Sequence, residues 1–203
     1  MATLDPTSVK RRSPLKQRHI TNHALFKEFG GNLLVGHYGN NESIQEEHSQ
    51  AQILAICDLS TLPRLGFKGP GAPSWLETQK LKIPTLPNTA ECQHAGSLVA
   101  KLSDQEVLIL SDIFALSNDV ATLSDKAEID HHNYDKQTYI LPRGDSHCWL
   151  AVTGTKASEM FSKICGVDLR THKFARGEIA QTSIAKTNAV VIRNDLGGTP
   201  GFY

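Results

Sequence analysis

The chain contains no apolar run approaching the roughly 18 residues that cross a bilayer, and its opening, Met1-Ala-Thr-Leu-Asp-Pro6, lacks the hydrophobic core of a secretory leader. Neither membrane insertion nor secretion is expected, and a cytoplasmic location is. Net charge is a second absence: 21 Lys and Arg balance 21 Asp and Glu, giving a pI of about 7.1. Nucleic acid and anionic lipid both select a basic surface through counterion release, so no nucleic acid or membrane partner is expected. Zero net charge also removes repulsion between copies, which suits a chain whose surface sits against a partner. Cysteine is scarce as well. Cys57, Cys92, Cys148 and Cys165 form no C-x-x-C pair and have no His at zinc-ligand spacing, which excludes a disulfide framework and a structural zinc site. Four buried free thiols in a reducing compartment are the expectation.

What is present is organised as short strands around single helices. Residues 1–20 carry Lys10, Arg11, Arg12, Lys16 and Arg18 against Asp5, a net +4 that leaves −4 for the rest. With Pro6, Pro14 and no periodic apolar face, they read as an extended basic arm. The following stretch, with Gly36, Gly39 and Asn40-Asn41, shows no clear pattern, so residues 1–50 read as an arm plus an irregular segment. Residues 51–203 read as one domain of two subdomains, about 51–127 and 136–203.

Within that domain, residues 53–58 predict a short buried strand and 64–68 an alternating one with Leu65 and Phe67 on one face. Gly69-Pro-Gly-Ala-Pro73 is a rigid turn, and a helix beginning at Ser74 ends by Ile83-Pro84. Residues 98–102 and 106–110 form a hairpin around Ser103-Asp-Gln105, 115–126 a helix through Leu116, Val120 and Leu123, and 125–135 a polar loop. Residues 138–141, 148–152, 178–186 and 189–192 are strand-like. Residues 155–165 make an amphipathic helix with Ala157, Met160, Phe161 and Ile164 inward and Gly166 as its stop. Hairpins separated by single helices predict an α+β fold with largely antiparallel sheets and flanking helices.

Few constellations carry chemistry. Gly69-Pro-Gly-Ala-Pro-Ser74 sits where a dinucleotide fingerprint would, but its third position is Ser74 and Pro73 stands in the turn, so it reads as structural. His19-x-x-x-His23 has helical ligand spacing without a neighbouring Glu, and His131-His132 offers no third ligand, so the histidines read as surface residues. Asp145-Ser146-His147 gathers triad atoms, yet neighbours on a strand face opposite sides and cannot join in a triad hydrogen bond.

Taken together, the segment from Asp58-Leu-Ser-Thr-Leu-Pro-Arg64 through Lys68-Gly-Pro-Gly-Ala72, Arg12-Ser-Pro-Leu15, Pro142-Arg-Gly-Asp-Ser-His147, Cys165-Gly-Val-Asp-Leu-Arg170 and Ala180-Gln-Thr-Ser-Ile-Ala185 resembles the gamma subunit family of bacterial heterotetrameric sarcosine oxidase. The resemblance spans roughly 12–202, and the fourth subunit of N-methylglutamate dehydrogenase is similar. Both are related to the folate-binding aminomethyltransferase fold. The resemblance implies a complex that oxidises sarcosine to glycine and passes the one-carbon unit to tetrahydrofolate. FAD, FMN, NAD, tetrahydrofolate and zinc are then expected on the alpha, beta and delta partner subunits, with no cofactor, metal or catalytic residue on this chain. In the aminomethyltransferase group a Gly-Gly-Ile-x-Asp-Asp type segment supplies an acid to the folate nitrogen. Here the corresponding segment is Gly96-Ser-Leu-Val-Ala-Lys101, with no carboxylate. A general acid or base needs a titratable group within hydrogen-bond reach, so an assembly role is expected. A stand-alone folate-dependent aminomethyltransferase is the alternative. Arg11, Arg12, Arg64 and Lys68 are the candidate residues for an acidic partner surface. Members of the family usually continue past residues 197–203 through another strand and a helix, so the expectation is either a sequence cut short at Tyr203 or a sheet that ends here with an uncovered edge.

Overall fold

A computed structural model of the chain describes residues 11–29, 32–39, 41–114, 117–130 and 137–203. Helix α1 (Lys16–Thr21) leads into a hairpin of β1 (Ala24–Phe29) and β2 (Asn32–Tyr38), and α2 (Asn41–Ile53) runs on into β3 (Ala55–Asp58). Then come β4 (Arg64–Lys68), α3 (Ala72–Thr78), β5 (Thr89–Cys92), β6 (Leu98–Ser103), β7 (Glu106–Leu110) and α4 (Asp119–Asp130). The last third holds β8 (Tyr139–Leu141), β9 (Leu150–Thr153), α5 (Ala157–Phe161), β10 (Ile179–Ile184), β11 (Thr187–Ile192) and β12 (Gly201–Phe202).

The strands form a five-stranded sheet in the order β5-β6-β7-β4-β8, a three-stranded sheet β12-β9-β3, and the hairpins β1-β2 and β10-β11, with every named pair antiparallel. The alternation along β6 explains how the large sheet divides two cores. Val99, with Val107 and Ile109 of β7 and Leu65 and Phe67 of β4, faces Ala72 and Leu76 of α3 and Val120, Leu123 and Ala127 of α4. Leu98, Ala100 and Leu102 face the other way, onto Leu59, Leu62, Trp149, Ala151, Ile179 and Ile192. A third cluster around Phe161, Phe174 and Phe202 seats α5 against the three-stranded sheet. The α+β fold with antiparallel sheets is therefore as the sequence predicts.

Several expectations change. Within residues 1–50, read as an extended arm and irregular segment, the described residues from 11 on form α1, the β1-β2 hairpin and most of α2, held by Ser13 and His19 bonded to the Asp58 carboxylate and by Thr61 donating to the Leu33 carbonyl. The proposed boundary at residue 50 lies inside α2. The two subdomains also exchange strands: β8 joins the first sheet beside β4, and β3 joins the second beside β9. Ile56 is 65% exposed, so β3 is not the buried strand its sequence suggested. Helix α4 extends to Asp130 through the expected polar loop, whose remainder at 131–136, with His131 and His132, lies outside the described residues, as does Leu116. Ile164 lies beyond α5 and is 39% exposed rather than inward. Cys57, Cys92 and Cys148 are exposed and Cys165 is half-buried; all four are free.

Candidate functional site

Three segments singled out by sequence, though far apart in the chain, meet around Arg64. Its guanidinium is buried, with the residue 7% exposed, and it donates to the carbonyls of Ser60 (3.1 Å), Arg143 (2.9 Å), Gly144 (2.7 Å) and His147. Position 64 opens β4, where the sheet edge turns toward the 142–147 loop, and a planar fork of donors suits an array of backbone oxygens. Arg11 reaches the same loop, donating to Gly144 O at 2.6 Å and lying 3.7 Å from Asp145. Burial lowers the pKa of Arg64, and the nearby Arg11 charge lowers it further, while Asp145 acts in the opposite sense. Of the four candidate partner-facing residues, Arg64 is thus turned inward, held by carbonyls that need a buried donor. Arg11 is half-buried on the loop, Arg12 is exposed, and Lys68 lies at the surface 3.4 Å from Glu106, which Arg143 also binds.

The loop itself overturns one geometric expectation. Residues 144–147 form turns rather than a strand, so alternation does not separate their side chains, and His147 Nδ1 lies 2.8 Å from Ser146 Oγ. Asp145 is 96% exposed and pairs with Arg11, which leaves the dyad without the orienting acid of a triad.

A second cluster was not legible in the sequence. His19 on α1 places Nε2 2.8 Å from Asp58 Oδ2 and Nδ1 2.7 Å from the Tyr38 hydroxyl. Ser13 Oγ donates to the same carboxylate oxygen, and the Ser60 amide donates to the other at 2.9 Å. His19 is 8% exposed, and His37 is also buried, so neither is the surface histidine expected. Burial alone pushes the Asp58 carboxyl up, but hydrogen bonds from Ser13, Ser60 and His19 outweigh it and leave the pKa lowered. These groups come from α1, β2 and β3, and a cavity of about 10 Å³ beside them, bordered by Arg12, Lys16 and Thr61, is the size of a single water site. The cluster fastens the N-terminal segment to the sheet. Among the described residues no group of three or more His, Cys, Asp or Glu is placed to hold a metal ion.

At the turn after β4, Gly69 has φ +121°, and any Cβ there would run into the Gln137 carbonyl. Its amide donates to Gln105 O at 2.8 Å and that of Gly71 to Gln137 O at 3.2 Å, so these two donors serve the chain rather than a phosphate.

The segment aligned by resemblance with the folate-contacting acid is β6. Gly96 lies over the Asp112 carboxyl, and Ser97 Oγ donates to Asp119 Oδ2 at 2.7 Å. Ala100 is fully buried among Leu59, Leu62, Trp149 and Ile192, with Tyr203 meeting Trp149 edge-on at 5.6 Å between ring centroids. Lys101 donates to Thr85 O at 2.8 Å and lies 3.7 Å from Asp104. The residues at positions 100 and 101 therefore do not fit folate acid–base chemistry. One groove of about 280 Å³ opens nearby, lined by Ala90, Glu91, Cys92, Leu98, Arg176 and Arg193, among others. Arg193 is engaged by Asp195 and by the carbonyls of Thr171 and Phe174.

This antiparallel α+β fold is similar to that of aminomethyltransferases. The chain belongs to the GCVT N-terminal domain family, whose model matches residues 15–202. It is 23% identical over 210 residues to an aminomethyltransferase of Saccharopolyspora erythraea, covering 96% of this chain and 53% of that protein. With an aminomethyltransferase of Staphylococcus haemolyticus it shares 24% identity over 203 residues, covering 97% and 54%. The chain thus spans about half the length of these curated relatives. Among solved structures, glycine cleavage system aminomethyltransferase T from Bartonella henselae superposes with a TM-score of 0.66 at 16% identity, over 93% of this chain and 51% of that one. A chain of heterotetrameric sarcosine oxidase from Corynebacterium sp. U-96, in complex with pyrrole 2-carboxylate, gives 0.63 at 14% identity, over 95% and 85%. No helix among the described residues is long and apolar enough to cross a membrane.

Proposed function

We propose that the chain acts as a gamma-type subunit of a sarcosine oxidase-type complex, an assembly module on an aminomethyltransferase-like fold, with the chemistry carried out on partner subunits. The observation that carries this reading is Ala100. Where the resemblance would put the folate-contacting acid of the aminomethyltransferase group, this chain has a fully buried methyl group inside an apolar cluster, followed by a lysine tied to Thr85. An acid that moves a proton must reach its substrate, and neither side chain offers one. The likeness to a sarcosine oxidase chain over 85% of that chain's length adds support. In this reading FAD, FMN, NAD, tetrahydrofolate and zinc belong to the alpha, beta and delta subunits, and the rigid 142–147 loop with Arg11 and Arg12 contributes to the subunit contact.

The stand-alone aminomethyltransferase reading is favoured by the names of the curated relatives. Calorimetry of the isolated chain with tetrahydrofolate separates the two: the subunit reading expects no heat of binding at micromolar folate, and saturable binding would overturn it. Co-expression with the large flavin-bearing subunits should give a complex that co-elutes and turns over sarcosine. Turnover of N-methylglutamate instead would move the chain to the similar dehydrogenase.

A further inference from the structure

No further inference is drawn: the strongest candidate, the groove of about 280 Å³ lined by Cys92, Leu98, Arg176 and Arg193, opens beside the β6 segment already described, and none of its polar side chains is both buried and without a partner among the described residues, so nothing in the structure names a ligand for it.

Discussion

Replacing Arg64 by Met is the sharpest test of how the fold holds its loop. Met keeps the apolar stem and volume but removes every donor, so four carbonyls lose a partner at once. The Ser60 oxygen accepts a bond in the interior, and leaving such a group bare costs about 1–3 kcal/mol. The three loop carbonyls are only part-buried; those of Arg143 and His147 recover some water and forfeit about 0.5–1 kcal/mol each, while that of Gly144 keeps its bond from Arg11 and forfeits less. Against these losses stands relief: the guanidinium is no longer held in the interior beside Arg11, an arrangement that already lowers its pKa. The balance is a loss of about 3 kcal/mol, a large share of the 5–15 kcal/mol typical of a domain. With a urea slope of about 2 kcal/mol per molar, the unfolding midpoint should fall by about 1.5 M.

The loop supplies an independent readout. In the intact protein the carbonyls of Arg143, Gly144 and His147 are gathered by Arg64, and Gly144 O also by Arg11, so the loop should hold a single conformation, and in Arg64→Met its backbone NMR resonances should shift and broaden. Arg64→Lys keeps the charge but offers three donors from a single point, which cannot span carbonyls arranged around a planar fork, so it should recover less than half of the loss. A midpoint within about 0.3 M of wild type for Arg64→Met would show that water replaces the guanidinium without penalty, and the structural role assigned to Arg64 would be wrong.

Asp58 predicts an acid-side effect. Because its folded pKa is lowered, it contributes stability above the ordinary carboxylate range, and that contribution disappears as pH falls through the folded value. Asp58→Asn should therefore cost about 2 kcal/mol at pH 7 and progressively less as pH falls below the ordinary carboxylate range, measured by denaturation across pH; a loss that does not change with pH would refute it. Gly69→Ala should destabilise by more than about 1 kcal/mol, since its φ of +121° and the Gln137 carbonyl both exclude a Cβ, and an unchanged melting temperature would contradict the turn geometry. Asp168, bridged by Arg170 at 2.6 Å, has its pKa lowered to about 2, and Arg170→Met should return it toward 3.8 in a carboxyl titration followed by NMR.

The legible parts of this fold are those whose information is local. The alternation of β4, β6 and β7 and the Gly-Pro turn before α3 depend on neighbours in sequence, and each appears where the residues predict it. The N-terminal elements were missed because their support is remote. Helix α1 has only six residues and no side-chain cap bond, and what fixes it is His19 meeting Asp58, 39 positions away. Polarity misled the reading at α4, where Asp125 through Asp130 look like loop but Val120, Leu123 and Ala127 present a buried stripe at helical spacing. Arg64 looked like a surface cation for the same reason: charge predicts exposure until a set of converging carbonyls supplies partners.

That contrast bears on how the fold relates to its chemistry. The residues that carry the resemblance are occupied with architecture: Asp58 holds Ser13 and His19, Arg64 holds the 143–147 loop, and Gly69 permits a turn that nothing larger fits. The departure falls at Ala100, where the scaffold needs only something small and apolar on the inner face of β6. An acid placed there would be buried among Leu59, Leu62 and Trp149 and would have to remain neutral or be given a partner, at a cost of several kcal/mol. Alanine is thus the more stable choice wherever folate chemistry is not required.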